Sequence, residues 1–327
     1  MPVDLWSSPA FVEEARAWVA AQVEPRGLRL TGDWEQPHCR PWSSAISFES
    51  DGGRLWFKVN GPGIRHEAAL VDLLGEVVPD LVPPVLAADH DRAWSLTRDA
   101  GPVLRSVAPA DQLWSWWEGI LSRYAEAQIE LAGHRDSVLA AGVPEVSPAT
   151  LPHRVRALVA ELAARDPSDG GLTTEETDRL EALQPAYDGW CAALATSAVP
   201  DSVQHDDLHS SNVCWTGSVA DARVIDWGDA SWGFPLTTML ATMNSIAFHA
   251  GCEVEDPRVL RVRDAYLEPF TTRTDRAELV ALVELARRTG TVGRALSYQQ
   301  AFVGEPRSAE AAEDWPVRGW LLELLEP

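Results

Sequence analysis

Two aspartates, a glutamate, an asparagine and a lysine carry the chemistry legible in this chain. The lysine is Lys58, the only one among 27 basic residues, set in the apolar run Leu55-Trp56-Phe57-Lys58-Val59. An ammonium is a compact point charge and a guanidinium a planar fork, so the two do not interchange at a tight phosphate site. Far along the chain stands His205-Asp206-Asp207-Leu208-His209-Ser210-Ser211-Asn212, followed by Val224-Ile225-Asp226-Trp227-Gly228. Phosphoryl transfer asks for this set. One carboxylate orients the attacking hydroxyl and accepts its proton. An amide oxygen and a second carboxylate hold Mg²⁺ against nucleotide phosphates, because that ion prefers hard oxygen ligands. A lysine meets the phosphates, steadied by a glutamate from a neighbouring helix.

His205-x-Asp207-x-x-x-x-Asn212 with Ile225-Asp226-Trp227-Gly228 resembles the aminoglycoside phosphotransferase/choline kinase family, relatives of the protein kinases. The resemblance implies an α+β, two-lobed protein-kinase-like fold and an ATP- and Mg²⁺-dependent kinase, with GTP left open as donor. It implies Asp207 as catalytic base, Asn212 and Asp226 as metal ligands and Lys58 as the nucleotide lysine. Glu67, in His66-Glu67-Ala68, is its ion-pair partner, with Glu76 as the alternative. The four-residue spacer to Asn212 selects Asp207 over Asp206, which stands where the family has glycine and reads as a solvated neighbour. His205 reads as a brace for the catalytic loop. His209 in place of a lysine, and the lack of an Ala-Pro-Glu sequence after Asp226, point to a small-molecule acceptor and away from protein. Two departures stand out. No G-x-G-x-x-G precedes Lys58, so the expected phosphate loop is Gln36 to Ser44, with the Ser43 and Ser44 hydroxyls and backbone N–H groups as its donors. Gly233-Phe234-Pro235 stands where the family has Gly-Asp-Pro.

The elements that must hold these residues are read from periodicity. Ser7-Ser8-Pro9 opens an amphipathic helix carrying Phe11, Val12, Ala15 and Val19. Residues 28–30, 45–48 and 55–59 read as antiparallel strands, the last two joined at Asp51-Gly52-Gly53. A helix begins near Ile64, and residues 82–87 and 93–97 read as two more strands. Asp99 to Ala110, rich in glycine, proline and alanine, marks the crossing from a nucleotide-binding lobe (1–100) to a helical lobe (101–327). Helices are expected near 111–133, 151–165, 174–195, 236–249, 258–268, 276–289 and 316–325, with Gly290 ending the sixth. Short strands at 202–204, 213–215 and 223–225 bracket the catalytic motif.

The chain of 327 residues is long enough for two lobes, each with a core. A net charge of −22 argues against a nucleic-acid or anionic-membrane partner and suits a cationic acceptor without requiring one. The four scattered cysteines suggest neither disulfides nor a zinc site, and no apolar run reads as a signal or membrane span, so a cytoplasmic monomer or homodimer is expected. The acceptor is a small-molecule hydroxyl: an antibiotic or aminosugar, or, for a metabolic kinase, a sugar or amino alcohol. Asp229, Trp232 and Tyr298 are the first candidates to touch it, with Trp114, Trp117, Glu118, Tyr124, Glu126, Arg294 and Gln299 behind them. Core packing or solvation is the competing reading for each. Two rival functions remain: a metal hydrolase using His205, Asp207 and His209, and a nucleotide-binding pseudokinase without turnover.

Overall fold

The computed structural model describes residues 2–109, 112–303 and 316–326. Helix α1 (Pro9–Val23) starts where the Ser8 side chain accepts the Phe11 N–H, with Pro9 in the first turn. Its buried residues Phe11, Val12, Ala15 and Val19 pack on an antiparallel five-stranded sheet, meeting Ile46, Phe57, Trp94 and Leu96. The aromatic contacts there are edge-on, as between Phe57 and Trp94 at 5.1 Å. Burying each such side chain contributes about 1.5–3 kcal/mol.

The strands are β1 (Leu30–Cys39), β2 (Ser43–Ser50), β3 (Leu55–Asn60), β4 (Val85–Asp89) and β5 (Trp94–Arg98), in spatial order β1-β2-β3-β5-β4. Lys58 is thereby central, paired with Ala45 on one side and Ser95 on the other. The open phosphate loop expected over residues 36–44 is not formed. Gln36 to Cys39 continue β1 against β2, leaving only Arg40-Pro41-Trp42 as a turn. Thr31-Gly32-Asp33 and Pro37 hide this strand in the sequence. It is an edge strand, mostly exposed, with register shifts on either side of Trp34-Glu35, and Pro37 falls within the second.

After β3 the chain makes a tight turn at Pro62–Ile64 and enters α2 (Glu67–Val77). Most of the remaining chain is helical. The main helices are α3 (Leu113–Leu131), α4 (Leu151–Ala163), α5 (Thr174–Ala195), α6 (Thr238–Ala250), α7 (Pro257–Leu267), α8 (Arg276–Ala301) and α9 (Pro316–Leu322). Ala110 and Asp111, at the expected crossing and helix start, lie outside the described residues. Strands β6 (Glu145–Val146), β7 (Ser202–Gln204) and β10 (Ser231–Gly233) form one small sheet, and β8 (Val213–Cys214) pairs with β9 (Arg223–Val224). The core of this half gathers Trp117, Tyr124, Trp227, Phe234 and Tyr266. Phe234 fills it where the family has an aspartate.

Gly290 does not end a helix. The helix expected to stop there runs on to Ala301, and Gly290 is buried beside Thr237 and Leu240, where a Cβ would make ordinary contact. Its far end reaches the sheet half. A Cβ on Gly63 would lie 1.7 Å from the Gln300 carbonyl oxygen, and Trp42 at the β1–β2 turn meets Phe302 edge-on at 5.6 Å. Gly63→Ala is therefore expected to lower the melting temperature by roughly 5 °C, since overpacking against backbone cannot relax cheaply. A thermal melt unchanged from wild type would contradict this contact.

Candidate active site

Lys58 is the meeting point of three elements. Its Nζ lies 2.7 Å from the Glu67 carboxylate at the first turn of α2 and 2.5 Å from Asp226 Oδ1. Burial disfavours the ammonium, but Asp226 and Glu67 outweigh it and raise the lysine's pKa, so the charge stays on. Glu67 is buried and also accepts the Trp227 N–H at 2.9 Å, tying α2 to the segment that carries Asp226. Burial raises its carboxyl above the usual range against the opposing pull of Lys58. Asp226 has φ +66 and opens half-exposed to the cleft, where Lys58 pulls its carboxyl down to about 2. Gly228 keeps this corner open: a Cβ would stand 2.8 Å from Ile64 Cδ1 and 3.3 Å from Glu67 Oε2, so those side-chain ends would have to shift. Glu76 is exposed on α2 and makes no ion pair with Lys58.

The segment from His205 to Asn212 lies between β7 and β8. His205 is fully buried. Its Nδ1 accepts the Asp207 N–H at 3.3 Å, so Nε2 carries the proton that it donates to the Ile225 carbonyl at 2.8 Å. The expected brace thus joins the two motif segments, and Tyr124 completes it by accepting the His205 N–H at 3.0 Å. With both ring nitrogens so engaged, His205 ties the two segments together as the expected brace and is not presented as a metal ligand. Among the described residues no group of three or more His, Cys, Asp or Glu could hold a metal ion.

Both Asp207 oxygens are engaged. Oδ2 is 3.3 Å from His209 Nε2 and accepts from Asn212 Nδ2 at 3.3 Å; Oδ1 accepts from Arg294 Nη2 at 3.1 Å. Burial pushes this carboxyl up, but His209 and Arg294 more than cancel it, leaving the pKa below its ordinary value. Asn212 also gives Nδ2 to the Asp207 carbonyl, so its Oδ1 is left to face the cleft. That cleft, about 370 Å³, is bordered by Lys58, Glu67, Asn212 and Asp226, with apolar walls that include Ala45, Phe57, Val82 and Ile225. The size is ordinary for a small-molecule or cofactor pocket. Two hard oxygen donors beside it suit Mg²⁺, which takes one or two protein ligands and completes its shell with phosphate and water.

Several expected residues stand elsewhere. Ser43 borders the cleft with its hydroxyl 3.0 Å from His38 Nε2. Ser44 does not border it: fully buried, it donates to the His38 carbonyl and accepts from Gln36, closing the hairpin. Trp232 is 2 % exposed and belongs to the core, closed to an acceptor, as are Trp117 and Tyr124. Trp114 lies under Arg258, Glu118 pairs with Arg261, and Gln299 donates to Glu161. Asp229 remains near Asp207: it accepts from Ser297 at 2.6 Å and from Arg294 at 3.4 Å. Tyr298 lies half-buried with the Arg294 guanidinium 5.1 Å from its ring centre.

Asp206 is not a solvated neighbour. It has φ +60, which explains why glycine suits this position, and its carboxylate accepts from Ser231. Burial raises its pKa to about 6. A carboxyl whose folded pKa exceeds its unfolded one contributes stability at low pH and loses it as pH rises through about 6. Asp206→Asn, which also tolerates positive φ, is expected to raise the melting temperature at pH 8 (about two units above that value), with the gain vanishing near pH 4. An equal gain at both pH values would contradict the assignment.

Fold and site together define a kinase-like phosphotransferase. The family model described as "Phosphotransferase enzyme family" matches residues 46–279. The chain belongs to this family and is a phosphotransferase with an alcohol group as acceptor. A search of curated proteins by sequence found no match. Solved structures share the fold. A choline/ethanolamine kinase family protein from Mesorhizobium loti is 19 % identical with TM-score 0.59, covering 97 % of this chain and 95 % of that one. The macrolide 2'-phosphotransferase MphH from Brachybacterium faecium is 15 % identical, TM-score 0.57, with 95 % and 98 % covered. A thermostable mutant of aminoglycoside phosphotransferase APH(4)-Ia is 17 % identical, TM-score 0.54, with 93 % and 96 % covered.

Proposed function

We propose that this protein is an ATP- and Mg²⁺-dependent kinase that phosphorylates a hydroxyl of a small molecule, an antibiotic or aminosugar before a neutral sugar. One observation carries the reading: Lys58, Glu67 and Asp226 converge on one side of the cleft while Asp207 and Asn212 share a hydrogen-bonded loop beside it. Residues 1–100 would then serve the nucleotide and 101–327 the acceptor. Lys58 has three N–H donors and spends two on carboxylates, leaving the third for a phosphate oxygen. Asn212 Oδ1 and Asp226 would hold Mg²⁺, which neutralises charge on the phosphates when bound. Asp207 orients the acceptor alcohol and takes its proton as the alcohol oxygen bonds to the γ-phosphorus and the bridging oxygen leaves with the nucleoside diphosphate. With its pKa below the ordinary carboxylate value, Asp207 is ionised at neutral pH and ready to do so.

The acceptor side of Asp207 is acidic: the three carboxylates of Asp206, Asp207 and Asp229 act on the one guanidinium of Arg294. That excess favours an acceptor carrying an ammonium group, in line with the whole-chain charge of −22. Among the described residues no helix is long and apolar enough to cross a membrane. With four free cysteines, a cytoplasmic location is the natural extension.

The test is ATP consumption by the wild type over aminoglycosides, macrolides, nucleoside antibiotics, sugars and choline-like alcohols, with the product phosphate located by NMR. Turnover with an aminosugar-bearing acceptor is expected. Tight Mg·ATP binding without transfer to any acceptor would replace this reading with a nucleotide-binding pseudokinase.

A further inference from the structure

Asp207 sits on a loop, and the donors on its Oδ2 oxygen, His209 and Asn212, belong to that same loop. They fix the carboxylate relative to its own segment and would move with it. Among the described residues the only side chain from another element that hydrogen-bonds it is Arg294, on α8, at 3.1 Å from Oδ1. Arg294 is 5 % exposed, and its other arm reaches Asp229, three residues past Asp226. One turn further along α8, Ser297 donates to the second oxygen of Asp229 at 2.6 Å. Residues three apart share a helix face, so one face of α8 grips both segments of the site. The Tyr298 and Trp320 rings, 5.1 and 5.7 Å from the guanidinium carbon, close around it. The Arg294 Nε is buried with no hydrogen-bond partner among the described residues, so local satisfaction alone does not explain why a guanidinium is kept here.

We propose that Arg294 is a positioning residue for phosphoryl transfer: its two arms lock the Asp207 carboxylate to the Asp229 segment and so hold the base at a fixed distance from the metal-binding aspartate. The inference rests on the kinase reading above. The fork matters because Arg294 addresses two carboxylates through two separate arms, Nη2 to Asp207 and Nη1 to Asp229, which an ammonium cannot do with the same geometry. Its contribution is to rate: it touches Asp207 and Asp229 and does not border the nucleotide cleft.

The experiment compares wild type with Arg294→Ala, Arg294→Lys and Asp229→Asn on the best acceptor and on water as acceptor. It measures kcat, KM for Mg·ATP, Kd for Mg·ADP and the melting curve. Arg294→Ala is expected to lose about 100-fold in kcat at unchanged KM and Kd, as misplacing one catalytic group does. Arg294→Lys and Asp229→Asn lie between, and added guanidinium ion restores part of the Arg294→Ala rate. If Arg294→Ala does not fold, the other two variants decide by the same split. Folded variants that turn over like wild type, or that lose nucleotide affinity in step with kcat, overturn the proposal. A wild type that transfers phosphate to neither alcohol nor water overturns the kinase reading and this inference with it. Wild-type turnover beside unimpaired variants overturns this inference alone.

Discussion

Asp207→Asn is expected to lower kcat by about 10³-fold while leaving Mg·ATP affinity unchanged. The amide cannot take the acceptor proton, and general-base catalysis is worth about 10²–10⁴. Geometry adds to the loss. Both carboxylate oxygens accept from donors, Oδ1 from Arg294 and Oδ2 from Asn212 with His209 alongside. Either orientation of an asparagine therefore turns its NH₂ toward a donor. The proposed nucleotide contacts of Lys58 and Asp226 are untouched, and Asn212 keeps its bond to the Asp207 backbone carbonyl when it loses the one to the side chain, so binding of Mg·ATP by calorimetry should stay close to wild type. The acid limb of the wild-type rate profile should fall below the ordinary carboxylate range, because His209 and Arg294 favour the ionised form over the cost of burial. Retained turnover in Asp207→Asn would move the base to another residue.

The parts of this site that depend on residue type and short spacing were legible in the sequence. Asp207 and Asn212 are held by hydrogen bonds inside their own loop, and Lys58 lies on a strand whose alternation is plain. The parts that depend on packing between distant segments were not. Gly290 carries a strong stop signal in isolation, yet α8 runs through it, packed beside Thr237 and Leu240. A helix ending at Gly290 would put Arg294 and Ser297 beyond its end, whereas both lie inside α8. Ser44 and Trp232 had suitable chemistry at suitable positions, but the direction of a side chain on a strand follows from a register that the bulges of β1 and the two-residue β6 conceal. The burial of Asp206 is hidden in the sequence for a related reason: its neighbour Ser231 is 25 positions away and comes close only when β10 pairs with β7.

Lys58→Arg is expected to preserve the fold and lose about 10²-fold in kcat. The charge is kept, so Glu67 and Asp226 are not left facing one another without a cation, which is the change that would unfold the site. What is lost is shape. The Lys58 side chain is 18 % exposed; its ammonium reaches two carboxylates at 2.5 and 2.7 Å and can turn its third N–H to the cleft. A guanidinium is longer and planar, and pairing with Glu67 aims its fork into the space that the phosphates and Asp226 share. Transfer should suffer more than ground-state binding, because charge grows on the phosphoryl oxygens at the moment of reaction and the donor must already be in place. Steady-state kinetics with a parallel melting curve decide it. A stable Lys58→Arg enzyme turning over like wild type would show that the lone lysine serves only as a counter-charge for Glu67 and Asp226.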